Sequence, residues 1–114
     1  MAGKILKSVL PLLGLIAGLH SHPVMAKTPV IEIDIKDHLF DPSEIVIPAD
    51  TKVKLVINNL DSTAEEFESY ELNREKVING GRKAVIFIGP LPPGEYPFFG
   101  EFYPKTAQGK VLVK

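Results

Sequence analysis

The sequence has no cysteine and no tryptophan, and only 2 methionines and 3 histidines in 114 residues. Without cysteine there is no disulfide framework, no thiolate nucleophile and no metal centre built on a thiolate. His20, His22 and both methionines fall within the first 26 residues, which leaves His38 as the only imidazole beyond them. A Ser/His/Asp arrangement would depend on that one residue, and no serine sits in a Gly-x-Ser-x-Gly turn. Neither a Gly-x-Gly-x-x-Gly loop nor a phosphate-cradling P-loop occurs. A conventional enzyme therefore has no constellation to work with. Basic charge is no more abundant than acidic charge, with 13 Lys and Arg against 14 Asp and Glu. The electrostatic footprint of nucleic-acid binding is missing.

Long apolar runs are scarce too. Val9–Leu19 (VLPLLGLIAGL) is the one such run, shorter than the ~20 residues that a membrane-spanning helix needs. Lys4 and Lys7 precede it, and Val24-Met25-Ala26 places small residues before a cut. This pattern predicts a secretory signal peptide over 1–26, cleaved after Ala26. The mature domain is then 27–114, with no transmembrane segment and a periplasmic or otherwise exported location. Cleavage removes two lysines and no carboxylate, so the mature domain is the more acidic. Its length suffices for one hydrophobic core.

What remains reads as short strands. Val30–Lys36 alternates, with Ile31, Ile33 and Ile35 inward and Glu32 and Asp34 outward. Val53, Leu55 and Ile57 repeat the pattern. Glu44–Ile47, Glu65–Ser69, Lys76–Ile78, Arg82–Ile88, Gly94–Phe102 and Lys110–Val113 complete the set, with one loose helical turn around Leu72–Lys76. Asn79-Gly80-Gly81 and the Gly89–Gly94 corner (GPLPPG) are strong turn signals. Seven to eight short strands at this spacing predict an all-β sandwich or barrel. The expected core is Ile31, Ile33, Ile35, Phe40, Val53, Leu55, Ile57, Phe67, Val85, Phe87, Tyr96, Phe98, Val111 and Val113.

Chemistry concentrates in carboxylates. Asp61, Glu65, Glu66, Glu68 and Glu71 run without a basic residue until Arg74. On a strand, Glu66 and Glu68 share one face, while Glu65 and Phe67 share the other. Such a run is either a solvated face or a hard-cation site of oxygen ligands, and it lacks the spacing of an EF-hand. Glu101 and Tyr103, two apart, would share a face if their strand extends that far. A carboxylate beside a phenol suits an oxidised hard metal. His38, in a turn-rich link, adds one imidazole.

Asn58-Asn59, the stretch GEYPFF…TAQGKVLV within Gly94–Val113, and Phe40…Pro42…Ile45–Ala49 resemble the cupredoxins. These are small Greek-key β-sandwiches best known as blue-copper electron carriers. Laid on this sequence, the family's ligand positions fall at or next to Glu65 (His), at Gly100 (Cys), at Tyr103 (His) and around Ala107 (Met). None of the usual four ligands is present, and a type 1 copper centre is excluded by inventory. EEFES, LNREKVINGG, IGPLPPGEYPFFGEF and TAQG look more narrowly like a periplasmic cupredoxin-like subgroup. That subgroup is associated with bacterial iron uptake through a ferrous-iron permease. The resemblance implies an iron or copper ion held by Glu66, Glu68 and Glu101, with His38 and Glu65 contributing. Tyr103, where the subgroup often has His, hardens the site toward all-oxygen ligation. It also implies a membrane iron permease as partner, with at most an assisting role in metal oxidation or electron transfer.

Two readings of function are thus open. One is an exported metal-binding accessory of iron transport. The other is a metal-free module whose acidic end docks a permease or another periplasmic partner through Tyr70 and Tyr103. A nonstandard redox copper site on His38 is the weakest, because one imidazole and no sulfur suit Cu(I) poorly.

Overall fold

The structure, a computed structural model, describes residues 27–114. The predicted signal peptide lies outside the described residues. Nine strands form: β1 (Val30–Lys36), β2 (Leu39–Asp41), β3 (Glu44–Ile47), β4 (Val53–Asn59), β5 (Glu65–Ser69), β6 (Arg74–Ile78), β7 (Lys83–Ile88), β8 (Gly94–Gly100) and β9 (Gln108–Val113). They pack as a four-stranded sheet, β2-β1-β4-β7, and a five-stranded sheet, β3-β9-β8-β5-β6. The pairs β1–β4 and β3–β9 are parallel and the remaining pairs antiparallel. This is the all-β sandwich that the pattern predicts. It has nine strands because Leu39–Asp41 pairs with β1 instead of remaining a link. The sequence around Leu72–Lys76 forms a turn and the start of β6, not a helical turn.

The core lies between the sheets. Ile33 and Ile35 from β1, Val53, Leu55 and Ile57 from β4, and Phe67, Phe98 and Val111 from the second sheet are buried. Phe67 stacks on Phe98 with centroids 5.0 Å apart, and Phe40 meets both rings edge-on at 6.1 and 5.0 Å. Burying each such side chain contributes about 1.5–3 kcal/mol.

Two expected core residues are corrected. Val85 and Phe87 are 44% exposed. Ala84, Ile86 and Ile88 point inward instead, opposite Ile57, Leu55 and Val53 of β4. The run KAVIFI is apolar on both faces, so its own alternation does not select a side; the register with β4 does. Phe87 is covered on its outer side by Lys52, whose Nζ sits 4.7 Å above the ring. Ile31 and Tyr96 are partly buried at the margin of the core.

Candidate metal centre

β5 is the strand on which the candidate residues divide. Its burial alternates strictly: Glu65, Phe67 and Ser69 are buried, and Glu66 and Glu68 are half-buried on the outer face. The inward serine is satisfied, since its hydroxyl donates to Pro97 O (2.7 Å) and accepts from Leu72 N (3.0 Å). Leu72 lies in the turn that reverses the chain into β6. That hairpin sets the register Ser69↔Arg74, Glu68↔Glu75, Glu66↔Val77. Glu75, which the sequence reading did not single out, thereby lands opposite Glu68. Glu66, Glu68 and Glu75 each offer a carboxylate oxygen, and these oxygens lie within 4.8 Å of one another.

Glu101 extends this group from the other side. Its amide donates to Glu66 O (2.9 Å), just past the Phe67↔Gly100 pair of β5 and β8. Partial desolvation, then the charges of Glu75, Glu101 and Glu65, push the Glu66 carboxyl above its ordinary value of 4.5. Glu68 is pushed up as well, first by desolvation and then by Glu75, Glu66 and Glu101. Hydrogen bonding to Glu75 adds to this, as it favours the protonated form. Among the described residues, no lysine or arginine forms an ion pair with these carboxylates. Three carboxylates on one sheet face, with Glu101 just past the end of β8 and no ion-pair partner for any of them among the described residues, make a ligand set of hard oxygens.

Glu65, His38 and Tyr103 stand apart from that face. Strand β8 ends at Gly100, so Glu101 and Tyr103 do not continue a shared strand face. Tyr103 lies flat against His38, with ring centroids 3.6 Å apart and 15° between planes. His38 and Asp37 both adopt left-handed backbone conformations, at φ 62° and 54°. Asp61 holds them there: its Oδ1 accepts from Asp37 N (2.7 Å) and its Oδ2 from His38 N (3.0 Å). The same Oδ2 is 3.5 Å from His38 Nδ1. Asp61 is placed in turn by buried Asn59, whose Oδ1 accepts from Asp61 N (3.1 Å). The Asn59 amide donates to Thr63 O and Ile78 O. Asp61 is a residue that sequence reasoning counted only as part of the acidic run.

Glu65 turns into the sandwich and is 1% exposed. Its Oε1 accepts from Glu66 N (2.8 Å) and from Phe102 N (2.9 Å). Its Oε2 is buried and has no hydrogen-bond partner. A Cβ placed on Gly100 would collide with this carboxylate and would come within 2.6 Å of Ala107 Cβ.

A sequence model of the family described as Cupredoxin-like domain matches residues 9–113. The chain belongs to the cupredoxin-like domain family. An uncharacterized protein of Rickettsia prowazekii (strain Madrid E) is 46% identical over 83 residues, which is 73% of this chain and 66% of that protein. Among solved structures, auracyanin A, a "blue" copper protein of Chloroflexus aurantiacus, superposes with a TM-score of 0.67 at 15% identity. That match covers 77% of this chain and 100% of auracyanin A. The metal-binding domain of the Cu(I)-exporting P-type ATPase of Streptococcus pneumoniae D39, solved with Cu(I), also gives 0.67. It is 16% identical, over 81% of this chain and 91% of that one. A purple cupredoxin of Nitrosopumilus maritimus gives 0.56 at 21% identity, over 73% and 98% of the two chains. At these identities the likeness is one of fold.

The blue-copper donor set does not fit this cupredoxin-like chain. A type 1 centre requires a cysteine thiolate and two imidazoles. The sequence has no cysteine, and His38 is the only histidine among the described residues. At Gly100, where the resemblance places the cysteine, a side chain would run into Glu65. Among the described residues no helix is long and apolar enough to cross a membrane.

Proposed function

We propose that this cupredoxin-like protein is an exported metal-binding accessory of iron transport that takes a hard cation on the outer face of its five-stranded sheet. Iron is the preferred ion and Cu(II) the second. Glu66, Glu68 and Glu75 supply the first oxygens, with Glu101 beside them. The observation that carries the reading is the meeting of three carboxylate oxygens within 4.8 Å. Without a cation, such a group costs mutual repulsion; with one, it becomes a chelate. Oxygen ligands and the absence of thiolate favour Fe(III) over Cu(I). A ferrous-iron permease in the membrane is the partner that this role implies, and export by the segment 1–26 puts the domain on the same side as incoming metal.

Thermal unfolding with and without metal tests the reading. A ligand that binds only the folded state stabilises by about 2.7 kcal/mol at a hundredfold excess over Kd. The melting temperature should rise with Fe(III) supplied as citrate, or with Cu(II), and the rise should vanish in Glu68→Gln/Glu75→Gln. An unchanged melting temperature with Fe(III), Cu(II) and Mn(II) alike contradicts it.

The metal-free docking module is the second reading. It draws on Tyr70, which is 72% exposed and lines one shallow cleft with Glu68 and Glu75, whereas Tyr103 is stacked on His38. Aromatic side chains beside charge are common at protein interfaces. Partner capture that survives loss of Glu68 and Glu75 but fails without Tyr70 would favour it.

A further inference from the structure

Glu65 lies far in sequence from Gly100 and Ala107, and all three fall at or next to positions that the cupredoxin resemblance assigns to metal ligands. In the fold they meet: the Glu65 carboxylate packs on Gly100, and Ala107 Cβ closes the same space. We infer that Glu65 takes the place of an interior metal in this chain. Its carboxylate joins the two segments that a shared metal would join, and it fills the room that a thiolate and a thioether would need.

The hydrogen bonds show the joining. Glu65 Oε1 bonds Glu66 N on its own strand and Phe102 N, 37 residues further on, in the segment after β8. One oxygen thus ties β5 to the β8–β9 connection. That connection is closed on itself by Gly100 N to Ala107 O (2.8 Å) and Ala107 N to Tyr103 O (2.9 Å). Phe102 precedes Tyr103, so the link also sets the base on which the Tyr103–His38 stack rests.

Steric fit shows the exclusion. With Glu65 in this rotamer, only glycine is accommodated at position 100, and the neighbouring wall is an alanine that is 0% exposed. The second oxygen, Oε2, is left buried without a partner. A buried unpaired polar atom carries a desolvation cost, so this carboxylate is held inside by its other contacts, not by indifference to burial. Gly100 and Ala107 are small because the acid needs the space. The inference rests on family membership and on the interior geometry, and it is independent of whether the outer face binds metal.

Two measurements test it. Hydrogen exchange of the Phe102 amide is compared in wild type, Glu65→Ala, Gly100→Ala and the double variant. Either single change should lower its protection by roughly tenfold, the ratio for about one lost hydrogen bond. The double variant should lose little more than the worse single one, because both break one contact. Unchanged Phe102 protection in Glu65→Ala, or full additivity in the double variant, overturns the inference. If the alanine variants do not fold, copper decides. Cu(II) is added to Gly100→Cys/Tyr103→His and to Glu65→His/Gly100→Cys/Tyr103→His. The triple variant should show a thiolate-to-copper absorption about tenfold stronger than the double. Equal absorption in the two, whether strong or absent, overturns the inference as well.

Discussion

Glu68 and Glu75 sit directly opposite each other on neighbouring antiparallel strands, on the same outer sheet face as Glu66. Like charges in that relationship destabilise a strand pair. The hairpin nevertheless brings them together with no basic residue paired to them among the described residues. Under the proposed function, a cation shared by the carboxylates would offset this repulsion. Replacing Glu75 by Gln should therefore have opposite effects in two conditions. Without metal, the variant should melt higher than wild type at about pH 7, where repulsion is relieved. With metal, it should melt lower, because a ligand is lost. A Glu75→Gln protein that melts lower in both conditions would point to a structural role for Glu75 instead.

The raised Glu66 and Glu68 carboxyls fix the sign of the pH response. Their folded-state pKa values lie above the ordinary 4.5. Between the ordinary and the raised values the folded state holds more protons than the unfolded one, so stability falls as pH rises through that window. The stabilisation from protonation is fully present below the ordinary value and gone above the raised one. Carboxyl-carbon NMR titration of the metal-free domain should show both side chains titrating late. Ordinary midpoints at both would contradict the crowding of the cluster.

On β7 the inward face belongs to Ala84, Ile86 and Ile88. Ile86→Ala should cost about 2–5 kcal/mol in urea unfolding. Val85→Thr, on the half-exposed outer face, should stay within about 0.5 kcal/mol of wild type. The reverse order would restore the face expected from sequence.

Asp61 holds two consecutive left-handed residues through their amides. Asp61→Ala should cost about 1–3 kcal/mol through the loss of two hydrogen bonds to a carboxylate. It should also release His38 from Tyr103, read as the loss of the ring-current shift on the His38 proton resonances. Retention of that shift would mean that the aromatic stack positions His38 without Asp61.

Most of the sandwich was legible because β1 and β4 alternate cleanly and because Gly, Pro and Asn mark the turns. The face of β7 was not, since KAVIFI is apolar on both sides and only its partner strand breaks the tie. β2 escaped for a related reason, and β6 was read only over Lys76–Ile78: LFD and the start of REKVI carry little alternation of their own and become strands by pairing with β1 and β5. In the candidate site, the period of two separated Glu65 from Glu66 and Glu68 correctly. Glu75 required the hairpin register, which follows once Tyr70–Asn73 is read as the turn between two strands. The Tyr103–His38 stack joins a link to a loop across both sheets, and no local pattern encodes it.

The central claim is that the outer carboxylates hold a metal. Metal content after exhaustive dialysis tests it most directly, with Fe(III), Cu(II) and Mn(II) offered separately to the domain of residues 27–114 and to its Glu66→Gln/Glu68→Gln/Glu75→Gln variant. The account predicts that wild type retains a stoichiometric amount of Fe(III) or Cu(II) and that the variant retains none. Equal retention by the two proteins, or no retention by wild type, would contradict it.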